Sequence, residues 1–197
     1  MVHIRIEDLE SYAFNNNIPI MQKDGIEFLC KYIKENNIKN ILEIGSAIGY
    51  SAIKMALVDS DVKVTTIERD KERYDIAVNN IKKFNLQDRI NIINEDALIL
   101  NIGINDKYDL IFIDAAKSQY IKFFEKFEKN LKDGGVIVSD NLSFHGLVED
   151  ESKTNNRNTK QLVRKIRKYI DYLKDNPNYK TTFYELGDGV AISIKIK

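Results

Sequence analysis

Short apolar runs rich in β-branched residues alternate along this chain with segments of helical spacing. Ile38 to Ile44, Val62 to Ile67, Ile90 to Ile93, Tyr108 to Ile113 and Val136 to Val138 read as strands. Between them, Tyr50 to Val58, Lys71 to Phe84 and Gln119 to Leu131 carry apolar side chains at steps of three and four, the spacing of amphipathic helices. Gly134-Gly135 reads as the stop of the last of these. Leu162, Val163, Ile166, Tyr169, Ile170 and Leu173 mark one face of a further helix. Lys180 to Leu186 and Val190 to Ile196 read as two strands joined through Gly187-Asp188-Gly189, a hairpin signal. Parallel strands need long crossovers, which helices supply. The alternation therefore predicts an α/β fold, with a mostly parallel sheet covered by helices on both faces and one antiparallel strand from the closing hairpin. Residues 1–37 precede the first strand and read as helical. No repeat or linker divides the 197 residues, so one domain over 1–197 is expected.

Charge and composition narrow the function. Lys+Arg and Asp+Glu both total 30, which excludes a polycation binding nucleic acid by bulk charge. The balance is uneven locally: Lys153 to Lys168 holds seven basic residues and no acid. The single cysteine, Cys30, permits no intrachain disulfide and sits on an apolar helical face, as a core residue would. No apolar run approaches the ~20 residues that span a bilayer. Met1 to Glu10 is mixed in charge without an apolar signal core. A cytoplasmic chain with no membrane partner is expected. His3 and His145 are the only histidines, and no Cys/His spacing suggests zinc.

The first strand ends in Glu43-Ile44-Gly45-Ser46-Ala47-Ile48-Gly49-Tyr50-Ser51. Open α/β sheets bind ligands at the carboxyl ends of their strands, and Gly45 and Gly49 let the backbone turn tightly there. The spacing is not the G-x-G-x-x-G of dinucleotide binders, which disfavours a nicotinamide dehydrogenase. Glu43, just before the turn, can accept hydrogen bonds or offset a ligand cation. Glu68 ends the second strand 23 residues after Gly45, where an acidic side chain can hold a ribose hydroxyl pair. Asp96-Ala97 closes the third strand on the same edge. The fourth strand ends at Asp114 and the fifth at Asp140-Asn141. Two carboxylates and an amide oxygen form a hard, all-oxygen set suited to Mg²⁺, Mn²⁺ or Ca²⁺. Each acid alone would more often cap a loop.

Together these motifs resemble the class I S-adenosylmethionine-dependent methyltransferases. E-x-G-x-x-x-G-Y-S is similar to the metal-dependent O-methyltransferases of the catechol and caffeoyl-CoA type. The resemblance spans roughly residues 18–197 and implies a Rossmann-like fold with a seven-stranded sheet. It implies that Met21, Glu43, Gly45, Ser51, Glu68, Asp96, Ala97 and Asp114 contact the methyl donor, Glu68 at the ribose and Asp96-Ala97 at the adenine. Ala47 stands where the commoner methyltransferase loop has a glycine. Asp114, Asp140 and Asn141 match the family's metal ligands. Lys117, in I-D-A-A-K-S-Q-Y, matches its general-base lysine, so Lys117 and Asp114 are the expected catalytic pair. A homodimer is implied by the same analogy.

Ile18-Pro19-Ile20-Met21-Gln22-Lys23-Asp24-Gly25, V-S-D-N and the closing D-G-V-A-I-S look like the bacterial tRNA 5-hydroxyuridine methyltransferases, although the N-terminus is shorter than theirs. That resemblance implies methylation of the wobble uridine in the tRNA anticodon loop, with Arg157, Lys160 and Arg164 on the phosphates. Two alternatives stand beside it. A small-molecule catechol-type O-methyltransferase would use the same site on a vicinal diol and leave the basic stripe as a solvated face. A non-catalytic RNA-binding module would not need Asp114, Lys117, Asp140 and Asn141 all together.

Overall fold

The computed structural model of the chain describes residues 4–103 and 105–196; His3 lies outside the described residues. Two helices, α1 (Ile6–Asn15) and α2 (Lys23–Glu35), precede β1 (Asn40–Ile44), α3 (Tyr50–Ala56), β2 (Lys63–Glu68), α4 (Lys71–Lys83) and β3 (Ile90–Asn94). Then come β4 (Tyr108–Ile113), α5 (Tyr120–Phe127), β5 (Leu131–Ser139), α6 (Arg157–Asp175), β6 (Tyr179–Tyr184) and β7 (Val190–Lys195). The seven strands form one sheet in the order β3-β2-β1-β4-β5-β7-β6, and β7 runs antiparallel to both of its neighbours. This is the expected Rossmann-like arrangement. No helix among the described residues is long and apolar enough to cross a membrane.

Strand pleat sorts the core into two layers. Ile41, Leu110, Phe112, Val136 and Val138 pack with residues of α1, α2 and α3. Their strand neighbours Leu42, Ile111, Ile113 and Ile137 pack on the other face with Phe124, Ile166 and Tyr169 of α5 and α6. Burial on both faces explains why these strands read as continuous apolar runs. Local signals set the helix starts. The Asp70 carboxylate accepts from the Arg73 N–H at 3.0 Å ahead of α4, and the Asn156 side chain accepts from Asn158 and Thr159 ahead of α6.

One expectation is corrected here. Gly134-Gly135 does not stop a helix: α5 ends at Phe127, a 3-10 turn follows, and both glycines lie inside β5. Tyr108 of β4 pairs with Leu131, but Leu110 already pairs with Val136, so β5 carries extra residues between the two pairs. Gly134, at φ 72°, takes the left-handed turn that this bulge requires.

Register decides what meets at the sheet's edge. Ile44 pairs with both Ile67 and Ile113, and Ile113 pairs with Ser139, so β1, β2, β4 and β5 end level. The strand order reverses between β1 and β4, the switch point where such sheets open a crevice. Because β7 is antiparallel, with Ala191 opposite Ser139, its first residues lie at that same edge.

Candidate active site

The turn from β1 into α3 forms one wall of the crevice. The Gly45 N–H donates to the Ile67 carbonyl at 2.9 Å, and Gly45 takes φ 95°. A β-carbon there would lie 2.3 Å from the Asp114 carbonyl oxygen, so only glycine fits. Ala47 also takes a left-handed conformation, φ 45°, and aims its N–H at Glu68 Oε2, 2.9 Å away. The Asp70 N–H donates to the other oxygen, Oε1, at 2.8 Å. These two backbone donors orient Glu68 and leave lone pairs for further donors such as ribose hydroxyls.

A cavity of ≈ 650 Å³ runs along this edge. Met21, Gly45, Ser51, Glu68, Asp96, Ala97, Asp114, Lys117 and Asn141 are among the residues that line it. The structure thus brings together nine of the residues singled out from sequence. Glu43 is not among them. It is fully buried behind the turn, accepting from Ser51 Oγ and Thr66 Oγ1 at 2.5 Å each. The pleat is the reason: Glu43 projects to the same side of β1 as Ile41, toward α3, and not over the strand end.

Asp114 and Asp140 follow adjacent strands, tied by Asp114 N–H to Ile44 carbonyl at 3.1 Å and Asp140 N–H to Ile113 carbonyl at 3.2 Å. Asp140 is 1% exposed, does not line the cavity surface, and its Oδ2 has no hydrogen-bond partner. Burial pushes both carboxyls above the ordinary range. Asp114 raises Asp140 further, Asp188 raises both, and the Lys117 ammonium opposes the shift in each. Among the described residues no group of three or more His, Cys, Asp or Glu side chains is arranged to hold a metal. The candidate set is therefore two carboxylates completed by the Asn141 amide oxygen. Those donors fit a hard cation, and the orphaned Asp140 oxygen is the atom such a cation would satisfy.

The basic stripe lies apart. Arg157 and Arg164 are exposed, Lys160 is half-buried, and none lines the cavity. The nearby Arg167 guanidinium instead donates to the Val148 carbonyl through Nε at 2.9 Å and Nη2 at 2.6 Å, pinning the loop before α6. Several cavity residues carry no role in the sequence reading, Phe144, His145 and Asp188 among them. Asp188 enters the sequence reading as part of a hairpin turn and of the closing D-G-V-A-I-S motif, with no role of its own; the usable signal was that an antiparallel last strand must begin at the functional edge.

Comparisons with known proteins agree with this geometry. The O-methyltransferase family profile matches residues 2–196. A caffeoyl-CoA O-methyltransferase from Populus kitakamiensis is 33% identical over 196 residues, covering 96% of this chain and 83% of that protein. A Staphylococcus aureus structure provisionally assigned as a caffeoyl-CoA O-methyltransferase superposes with a TM-score of 0.93 at 40% identity, covering 98% of this chain and 92% of that one. A Bacillus cereus O-methyltransferase solved with S-adenosylhomocysteine gives a TM-score of 0.81 at 28% identity, covering 96% and 90%. The chain belongs to the O-methyltransferase family and is an S-adenosylmethionine-dependent enzyme of the caffeoyl-CoA O-methyltransferase type.

Proposed function

We propose that this enzyme methylates one of two adjacent oxygens on its acceptor with the help of a divalent cation, and that the acceptor is 5-hydroxyuridine at the tRNA wobble position. The carrying observation is the acidic strand ends at the cavity: Asp114 and Asn141 line it, and Asp140, level with Asp114, is buried directly behind with an oxygen that has no partner. Asp114, Asp140 and Asn141 would hold the cation. When bound, Mg²⁺, Mn²⁺ or Ca²⁺ supplies Lewis acidity that favours the oxyanion of a hydroxyl at neutral pH. Lys117 receives or holds the proton leaving that hydroxyl. Glu68, Asp96 and Ala97 bind the donor's nucleoside end, while Gly45 and Ser51 shape the wall along it. The enzyme's main contribution is alignment of the acceptor oxygen with the donor methyl, in line with its sulfur.

The 5-hydroxyl and O4 of the modified uridine form a vicinal pair like that of a catechol. A wobble base is single-stranded, so presenting it requires little unpairing. The seven basic residues from Lys153 to Lys168 support an RNA acceptor, because they follow directly on the loop whose Phe144 and His145 line the cavity. A second reading, a small phenolic acceptor, is favoured by the names of the relatives, caffeoyl-CoA and flavonoid methyltransferases among them. A cytoplasmic homodimer completes the proposal, and light scattering tests the dimer.

The deciding experiment supplies labelled S-adenosylmethionine and Mg²⁺ with tRNA bearing 5-hydroxyuridine, and in parallel with caffeoyl-CoA and catechol, each with a chelator control. The expected product is chelator-sensitive 5-methoxyuridine, reduced at least tenfold by charge reversal at Arg157 and Lys160. Methylation of the phenols alone, unchanged by that reversal, overturns the RNA acceptor. Transfer that persists in chelator overturns the cation.

A further inference from the structure

We propose that Asp188 is a positioning residue that locks the 141–146 turn and orients the Asn141 amide, leaving its oxygen free for the cation; this rests on the reading of Asp114, Asp140 and Asn141 as the cation-holding set. Asp188 sits between β6 and β7 and is 3% exposed. Its carboxylate accepts from the His145 backbone N–H through Oδ1 and from Asn141 Nδ2 through Oδ2 at 3.3 Å. His145 Nδ1 lies 3.6 Å from the same Oδ1. The backbone repeats the grip: Leu142 N–H donates to the Gly189 carbonyl at 3.0 Å, and Ser143 N–H to the Asp188 carbonyl at 2.8 Å. The two loops approach so closely that a β-carbon on Gly189 would lie 2.7 Å from the Ser143 nitrogen.

The turn needs such a grip. Asn141, Phe144 and His145 hold φ of 61°, 48° and 59°, left-handed conformations that are costly for residues with a β-carbon, though least so for asparagine. Several within one short turn persist only where the surroundings over-determine them. A carboxylate has acceptors only, so Asp188 can engage the NH₂ end of Asn141 and never its oxygen. That fixes which way the amide is flipped. The same contact sets Phe144 and His145, which line the cavity beside Asn141.

Mn²⁺ serves as the probe, with calorimetric affinities for Mn²⁺ and S-adenosylhomocysteine and amide hydrogen exchange over 141–146, all on the full chain. Asp188→Ala should weaken Mn²⁺ at least tenfold, leave S-adenosylhomocysteine within twofold and speed exchange in the turn. Asp188→Asn can still accept from His145 but presents an NH₂ to Asn141. It should keep the exchange protection and still lose Mn²⁺ affinity, a split that a purely structural role would not give. In an Asn141→Ala background, Asp188→Ala should add less than a twofold loss. Additive losses would mean that Asp188 acts on the cation directly and overturn the positioning role, as would unchanged Mn²⁺ affinity in Asp188→Ala. A wild-type chain that binds no Mn²⁺ overturns the parent reading instead. Unchanged exchange in Asp188→Ala then overturns the lock itself.

Discussion

Glu43 has no exposed surface, and both of its carboxyl oxygens accept hydroxyl hydrogen bonds. Burial raises its pKa from 4.5 to about 7; the Ser51 and Thr66 hydroxyls pull the other way, and Asp114 and Glu68 add to the rise. A carboxyl raised in the fold contributes stability that is fully present below its unfolded pKa of 4.5 and is lost as pH climbs through about 7. Glu43→Gln removes that titration. The stability of wild type relative to Glu43→Gln should therefore fall between pH 5 and pH 8, by on the order of 3 kcal/mol at most. Urea denaturation at both pH values measures it, and a difference that stays flat overturns the assignment. The residue's position at the end of a strand was legible from sequence; the side of the strand it faces was not. A single alternating residue changes side with a one-residue change in where the strand begins.

At the scale of elements, the parallel strands were legible because two-sided burial makes each a compact apolar run, Tyr108–Ile113 most plainly. β5 was foreshortened because its bulge contains a glycine pair, which from sequence alone has the chemistry of a helix stop. The turn from β1 into α3 forms one wall of the cavity. Its tolerance is low because Gly45 combines a left-handed backbone with contact against Asp114. Gly45→Ala should either push β1's exit off the Asp114 backbone or strain the turn, and both displace Ser46 and Ala47 from the cavity wall. We expect S-adenosylhomocysteine affinity to fall more than tenfold by calorimetry, with a lower Tm. Native affinity in this variant would show that the turn can move without donor contacts following it.

Across the whole molecule, level strand ends and one antiparallel strand gather Asp114, Asp140 and Asp188 at one edge. Register of this kind arises from long-range pairing, so it cannot be read from segments one at a time; strand ends and the resemblance together supplied Asp114, Asp140 and Asn141, while Asp188 appeared only within a turn and a motif, without a role. Gathering like charges in a buried place opposes folding unless a cation joins them. The carboxyls of Asp114 and Asp140 are both held above their ordinary value of 3.8, chiefly by burial. Their contribution to the cation-free fold is thus complete at acid pH and declines as pH rises through the raised range. Asp140→Asn removes one of these charges while keeping the shape. Without added metal, this variant should melt a few degrees above wild type at pH 8, and the gap should close toward pH 4. Added Mn²⁺ should reverse the order, raising the Tm of wild type and not that of the variant, because binding stabilises only the chain that can hold the ion. A variant less stable than wild type at pH 8 without metal would mean that Asp140 is held by contacts worth more than the repulsion it suffers. The acidic edge would then be a structural feature and not one maintained for a ligand.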